Sequence, residues 1–158
     1  MPELRDVLAD AGFGDVRTYV QSGNVVLTSR ASPARVARTC EQAIAAQFGL
    51  EIDVLVRTHA ELAQIVRRNP LGEVAVNPKR YQVSFLSAKP DREVVRNLAE
   101  AAVPPEQFVA QGRELYAWHP EGIARSRLWA LLAGPGLGVT ATARNWTTVT
   151  KLLALAEE

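Results

Sequence analysis

The sequence predicts an α+β protein of two tandem ferredoxin-like units, the first without its opening strand, followed by an extra C-terminal helix. Three observations predict it. Apolar residues recur at helical spacing in several segments, and shorter runs rich in β-branched and aromatic residues lie between them. Two polar, glycine-centred tripeptides, Ser22-Gly23-Asn24 and Gln111-Gly112-Arg113, each separate a pair of such runs, as a hairpin turn does. The second half then reads strand, helix, strand, turn, strand, helix, strand, and the first half reads the same without its first strand.

The elements follow in order. Leu4, Val7, Leu8 and Ala11 form one helical stripe, closed by Gly12. Residues 16–28 make two antiparallel strands around Ser22-Gly23-Asn24. Ser32-Pro33 supplies an N-cap and first-turn proline for a helix that buries Val36, Cys40, Ala43, Ile44 and Phe48 and ends at Gly49. Ile52, Val54 and Val56 alternate with Asp53, Leu55 and Arg57, which predicts a strand. Thr58 and Glu61 have capping-box spacing ahead of Leu62, Ile65 and Val66, and Asn69-Pro70 ends that helix.

In the second half, a strand over 81–87 precedes a helix over 91–102, which Pro104-Pro105 breaks. Strands near Phe108 and over 115–118 flank the second hairpin turn. A helix over 124–133 stops at Gly134-Pro135-Gly136, and a strand over 139–142 leads to a last helix with Asn145 as N-cap. The expected organisation is a first unit over 1–57, a connecting helix and loop over 58–80, and a second unit with the C-terminal helix over 81–158. A ferredoxin-like sheet holds its first strand inside, so Met1 is expected to be an internal start with one more strand upstream.

Composition narrows the function classes. At 158 residues the chain can bury roughly two-thirds of its unfolded surface, so a core without metals or disulfides is feasible. Its 18 basic and 17 acidic residues leave a net charge of +1, which argues against nucleic acid as a partner. No apolar run approaches membrane-spanning length, so no membrane partner is expected. The single cysteine, Cys40, fits a reducing compartment, and the expected location is cytoplasmic. His59 and His119 lack metal-ligand spacing, no catalytic constellation is recognisable, and no cofactor is expected.

The strings Thr18-Tyr19-Val20-Gln21-Ser22-Gly23-Asn24-Val25-Val26 and Thr142-Ala143-Arg144-Asn145-Trp146-Thr147-Thr148-Val149-Thr150-Lys151-Leu152 resemble the bacterial family catalogued as domain of unknown function 1697. So do Leu55-Val56-Arg57-Thr58, Gly112-Arg113-Glu114-Leu115-Tyr116 and Gly122-Ile123-Ala124-Arg125-Ser126-Arg127-Leu128, in the family order. The resemblance implies an α+β protein without an assigned activity. Family members open with a strand and turn reading Arg-Gly-Ile-Asn-Val-Gly-Gly, which this sequence lacks, and they carry Asn at the place of Thr147 and Lys at that of Arg127.

The sharpest functional expectation concerns Arg125, Arg127, Arg144 and Lys151. They flank the last two helices, and guanidinium forks beside the helix capped by Asn145 match phosphate or carboxylate. Ser22 and Asn24 are added as polar groups of the first hairpin turn, although a turn alone also explains them, and solvated helix charges also explain the four cations. The favoured function is a non-catalytic module binding a small anionic or nucleotide-like ligand, as a monomer or weak homodimer. The alternatives are an enzyme of phosphate or acyl chemistry at the same cleft, and an interaction or dimerisation module without ligand. Gly134-Pro135-Gly136-Leu137-Gly138 is rejected as a phosphate loop, because no Lys-Ser/Thr follows it and Pro135 has no amide hydrogen.

Overall fold

A computed structural model describes residues 2–19 and 23–157. The chain is mixed α+β, with helices α1 (Pro2–Asp10), α2 (Pro33–Phe48), α3 (His59–Arg68), α4 (Arg92–Ala101), α5 (Arg127–Ala133) and α6 (Trp146–Ala156). Its strands are β1 (Gly14–Tyr19), β2 (Asn24–Thr28), β3 (Tyr81–Leu86), β4 (Gln107–Gln111), β5 (Glu114–Trp118) and β6 (Ala141–Asn145). β1 and β2 form a two-stranded sheet, and the other four form a sheet in the order β4-β5-β3-β6. Every neighbouring pair is antiparallel. No helix among the described residues is long and apolar enough to cross a membrane.

Local signals set the helix ends. The Ser32 hydroxyl accepts from the Arg35 amide, and Gly49 closes α2 at φ 67°, a left-handed conformation that costs a side chain but not glycine. Thr58 and Glu61 satisfy each other reciprocally: Glu61 Oε1 accepts from Thr58 N at 2.8 Å, and Thr58 Oγ1 from Glu61 N at 3.1 Å. Gly112 turns the β4–β5 hairpin at φ 58°.

Contacts divide the chain into one unit of residues 1–63 and 151–158 and another of residues 64–150. This differs from the boundaries expected from sequence. The segment 58–80 is shared between the units, and the end of α6 belongs with the first, where Arg17 Nη2 donates to Leu155 O at 2.6 Å. In the first unit, Leu4 and Leu8 of α1 pack with Val36, Cys40 and Ile44 of α2. In the second, Leu86, Leu115 and Ala117 of the sheet pack with Leu98, Ala101, Leu128, Leu132 and Leu137.

The other face of that second sheet is also covered. Tyr116 donates its hydroxyl to Ile65 O at 2.9 Å, Tyr81 donates to Asn69 Oδ1 at 3.0 Å, and the Trp146 ring stacks on Tyr81 at 4.7 Å. Burial pushes the Tyr81 phenol up to about 12 and the Tyr116 phenol further in the same direction, because neither phenolate would be solvated.

Three predicted elements differ. Residues 52–56 form no strand: alternation creates an apolar face, but a ladder also needs a neighbour, and none of the described strands pairs with this segment. The Val54 amide donates instead to Glu41 Oε2 at 2.8 Å. The helix expected from residue 124 begins at Arg127, because Ser126 is its N-cap and accepts from Trp129 N at 3.0 Å. The predicted strand over 139–142 lies at 141–145, so Asn145 both ends β6 and caps α6.

Candidate functional site

Among the described residues, a polar cluster joins three segments distant in sequence. Glu106 precedes β4, His119 follows β5, and Ser126 caps α5. Glu106 Oε2 is 2.7 Å from His119 Nδ1 and accepts the Ser126 hydroxyl at 2.6 Å. Ser126 Oγ is 3.4 Å from His119 Nδ1. His119 is fully buried, and the edge of one of the two rings meets the face of the other where it abuts Trp129, with centroids 5.9 Å apart.

Sequence reasoning missed this cluster because 13 and 20 residues separate Glu106 from its two partners, too far for any periodic signal. Only the N-cap was findable, from Ser126 ahead of the apolar run Leu128-Trp129-Ala130-Leu131-Leu132.

Ser, His and Glu invite comparison with a nucleophile and its base, but the wiring differs. A catalytic histidine takes the serine proton on one ring nitrogen and is held by the acid on the other. Here serine and glutamate share the Nδ1 side, and His119 Nε2 is buried with no hydrogen-bond partner among the described residues. The carboxylate therefore collects two donors and ties the β4 approach, the β5 end and the α5 cap into one bracket. Among the described residues, no group of three or more His, Cys, Asp or Glu is placed to hold a metal ion.

The residues predicted from sequence are dispersed over different roles. Ser22 lies outside the described residues. Asn24 is buried at the start of β2 and donates through Nδ2 to Tyr19 O at 3.2 Å, across the hairpin. Asn145 Oδ1 accepts from Thr148 N at 2.9 Å, which is its capping bond. Arg144, on β6, is half-buried and directs Nη1 to Thr142 Oγ1 at 2.6 Å and to Ala143 O at 2.8 Å. Burial lowers its pKa from the ordinary arginine value. Arg125 and Arg127 are exposed on either side of the fixed Ser126. Lys151 is exposed on α6 and belongs to the first unit, whereas the three arginines belong to the second.

A different feature stands out in the first unit. Phe13, Val16, Val25, Leu27, Val54 and Val56 pack on the α1–α2 core but are only partly buried. Leu50 and Ile52 are 54% and 48% exposed. Beside them lies an open groove of about 410 Å³ lined by Arg38, Glu41, Gln42, Ala45, Glu51, Ile52 and Asp53.

No curated protein matches the chain in sequence. Its fold is similar to that of the conserved bacterial protein SP0830 from Streptococcus pneumoniae, at a TM-score of 0.71 and 20% sequence identity, over 99% of this chain and 88% of that one. A family model described as protein of unknown function, DUF1697, matches residues 1–116 and stops short of Arg125, Arg127, Arg144 and Lys151. With that match spanning most of its length, and the hairpin of β1 and β2 inside it, the chain belongs to the DUF1697 family.

Proposed function

We propose that this protein is a non-catalytic interaction module that recognises a polypeptide partner through the sheet of its first unit. The observation that carries the reading is a contrast between two cores. In the second unit the core-facing residues of the two central strands, Leu86, Leu115 and Ala117, are at most 1% exposed, and only edge-strand residues such as Phe108, Ala110 and Ala141 are partly open. In the first, the residues of β1, β2 and 52–56 that face the helices remain partly open. Apolar surface left open in this way marks an interaction site.

The tandem ferredoxin-like plan is part of the proposal. Numbered within the second unit, the sheet order is second, third, first, fourth, with all neighbours antiparallel and a helix after the first and third strands. That supports a ferredoxin-like unit. The first unit runs α1, β1, β2, α2 and then residues 52–56, in an order that matches except that 52–56 forms no strand. The reading is tested by titrating the folded chain with Nile red, a neutral apolar dye. Enhanced, blue-shifted emission that falls in the double variant Leu50→Glu, Ile52→Glu supports it; no emission change in the wild-type chain contradicts it.

A second reading, a small anionic or nucleotide-like ligand at Arg125 and Arg127, is favoured by two exposed guanidinium groups bracketing a residue fixed by three polar contacts. An enzyme of phosphate or acyl chemistry would need that same place. Thermal-shift screening against nucleotides and sugar phosphates tests it: stabilisation that vanishes in Arg125→Ala and Arg127→Ala supports it, and an unmoved melting temperature for every probe contradicts it.

A further inference from the structure

We infer that two copies of this chain associate through β4, edge to edge and antiparallel about a two-fold axis at Val109, so that their four-stranded sheets become continuous. This edge lies in the second unit, and the pairing stands or falls apart from the surface proposed on the first. β4 ends the sheet order β4-β5-β3-β6 and pairs with β5 alone. A two-residue turn, Gly112-Arg113, closes the hairpin at Gln111↔Glu114, which is therefore a hydrogen-bonded pair. Alternation along the ladder then directs the backbone N–H and C=O of Val109 to Tyr116 and turns those of Phe108 and Ala110 outward. Among the described residues, no hydrogen bond outside the ladder reaches residues 107–111.

The edge lacks the usual protection. Exposed strand edges are normally blunted by charge, proline or a bulge. β4, Gln107-Phe108-Val109-Ala110-Gln111, carries no charge and no proline, and its register with β5 is unbroken over all 5 residues. The opposite edge of the sheet differs: on β6 the Arg144 guanidinium donates to the Ala143 carbonyl and to the Thr142 hydroxyl.

The residue string specifies a second copy as the occupant. Read in either direction, β4 has Gln at its ends and Val at its centre. A two-fold axis at Val109 sets Gln107 opposite Gln111 of the second copy, Phe108 opposite Ala110, and Val109 opposite itself. Like charges facing each other at such an axis would oppose pairing, and β4 has none. Phe108 and Ala110 both pack on the core of their own unit. An axis perpendicular to the sheet keeps those apolar faces on one side and sets a large side chain against a small one. The outward backbone groups match as well, since each of the two symmetric Phe108–Ala110 pairs exchanges both of its N–H···O bonds. Gln111 Oε1 is buried without a hydrogen-bond partner among the described residues, and the pairing places the Gln107 amide of the second copy opposite that side chain. An unrelated strand would satisfy the outward groups without this match at every position.

The test measures the mass of the full chain by analytical sedimentation from micromolar to near-millimolar concentration, beside two variants that share one change. Gln107→Lys with Gln111→Lys sets lysine against lysine on both sides of the axis. Gln107→Glu with Gln111→Lys sets glutamate against lysine at the same places. The wild-type mass is expected to rise with concentration from that of one chain towards that of two. Association should weaken by roughly tenfold or more in the first variant and return to at least the wild-type level in the second. The variants differ only at the exposed position 107, so damage to the fold does not produce opposite effects. A wild-type mass of one chain at every concentration overturns the inference and leaves the edge to a different partner. Equal association of the two variants places the contact elsewhere and also overturns it. Growth beyond two chains does the same, because a two-fold contact closes on itself.

Discussion

Glu106 Oε2 lies 2.7 Å from Nδ1 of the fully buried His119, and the same oxygen accepts the Ser126 hydroxyl. One carboxylate oxygen thus holds the end of β5 and the start of α5 together. Glu106→Gln weakens both bonds and Ser126→Ala removes the cap of α5. The expected losses in urea denaturation are about 2 kcal/mol for the first, as for hydrogen bonds to charged groups, and about 1 kcal/mol for the second. The double variant should lose less than the sum, because both changes strike one network. Additive losses would mean that the two bonds act independently.

Asn145 separates capping from ligand binding. Its Oδ1 accepts the Thr148 amide, so Asn145→Ala is expected to cost about 1 kcal/mol and Asn145→Asp to recover most of it. Urea denaturation without any ligand is the measurement. An unchanged midpoint for Asn145→Ala would release this side chain from its structural role.

Much of the fold was legible because its signals are local. Ser32-Pro33, Thr58 with Glu61, and Gly49 announce helix ends within four residues, and the backbone obeys them. The segment 52–56 was misread because its alternation records which face is apolar, whereas strand formation depends on a neighbour elsewhere in the chain. The start of α5 slipped from residue 124 to 127 because Ser126 outcompetes Ala124 as the place where a helix begins. The candidate site was less legible. Arg144 looks like a ligand group in sequence, yet on β6 its guanidinium reaches the Thr142 hydroxyl and the Ala143 carbonyl. The Glu106 bracket needs tertiary contacts that no spacing announces.

Alkaline pH should unfold the chain through its buried tyrosines. The Tyr81 phenol is pushed up to about 12 by burial, while an unfolded tyrosine titrates near about 10. The folded state therefore holds its protons more tightly in this window. That stability is fully present below about pH 10 and is lost as pH rises towards 12. Denaturation midpoints measured between pH 9 and 12 should fall steadily, and Tyr81→Phe should flatten the decline. A wild-type midpoint independent of pH over this range would contradict the burial.

The openness of the first unit's sheet is most directly measured by thiol labelling of two matched variants. Cys40 is buried, and burial, followed by the Glu41 charge, raises its thiol pKa, so the native cysteine is expected to react slowly. In a Cys40→Ala background, Val25→Cys on β2 and Leu115→Cys on β5 place a thiol at corresponding core-facing positions. The account predicts that the folded protein's thiol at 25 reacts with a small disulfide reagent at least roughly a hundredfold faster than that at 115, since opening costs little where the cover is incomplete. Equal protection of the two thiols would mean that the first sheet is as closed as the second, and the proposed interaction surface would not exist.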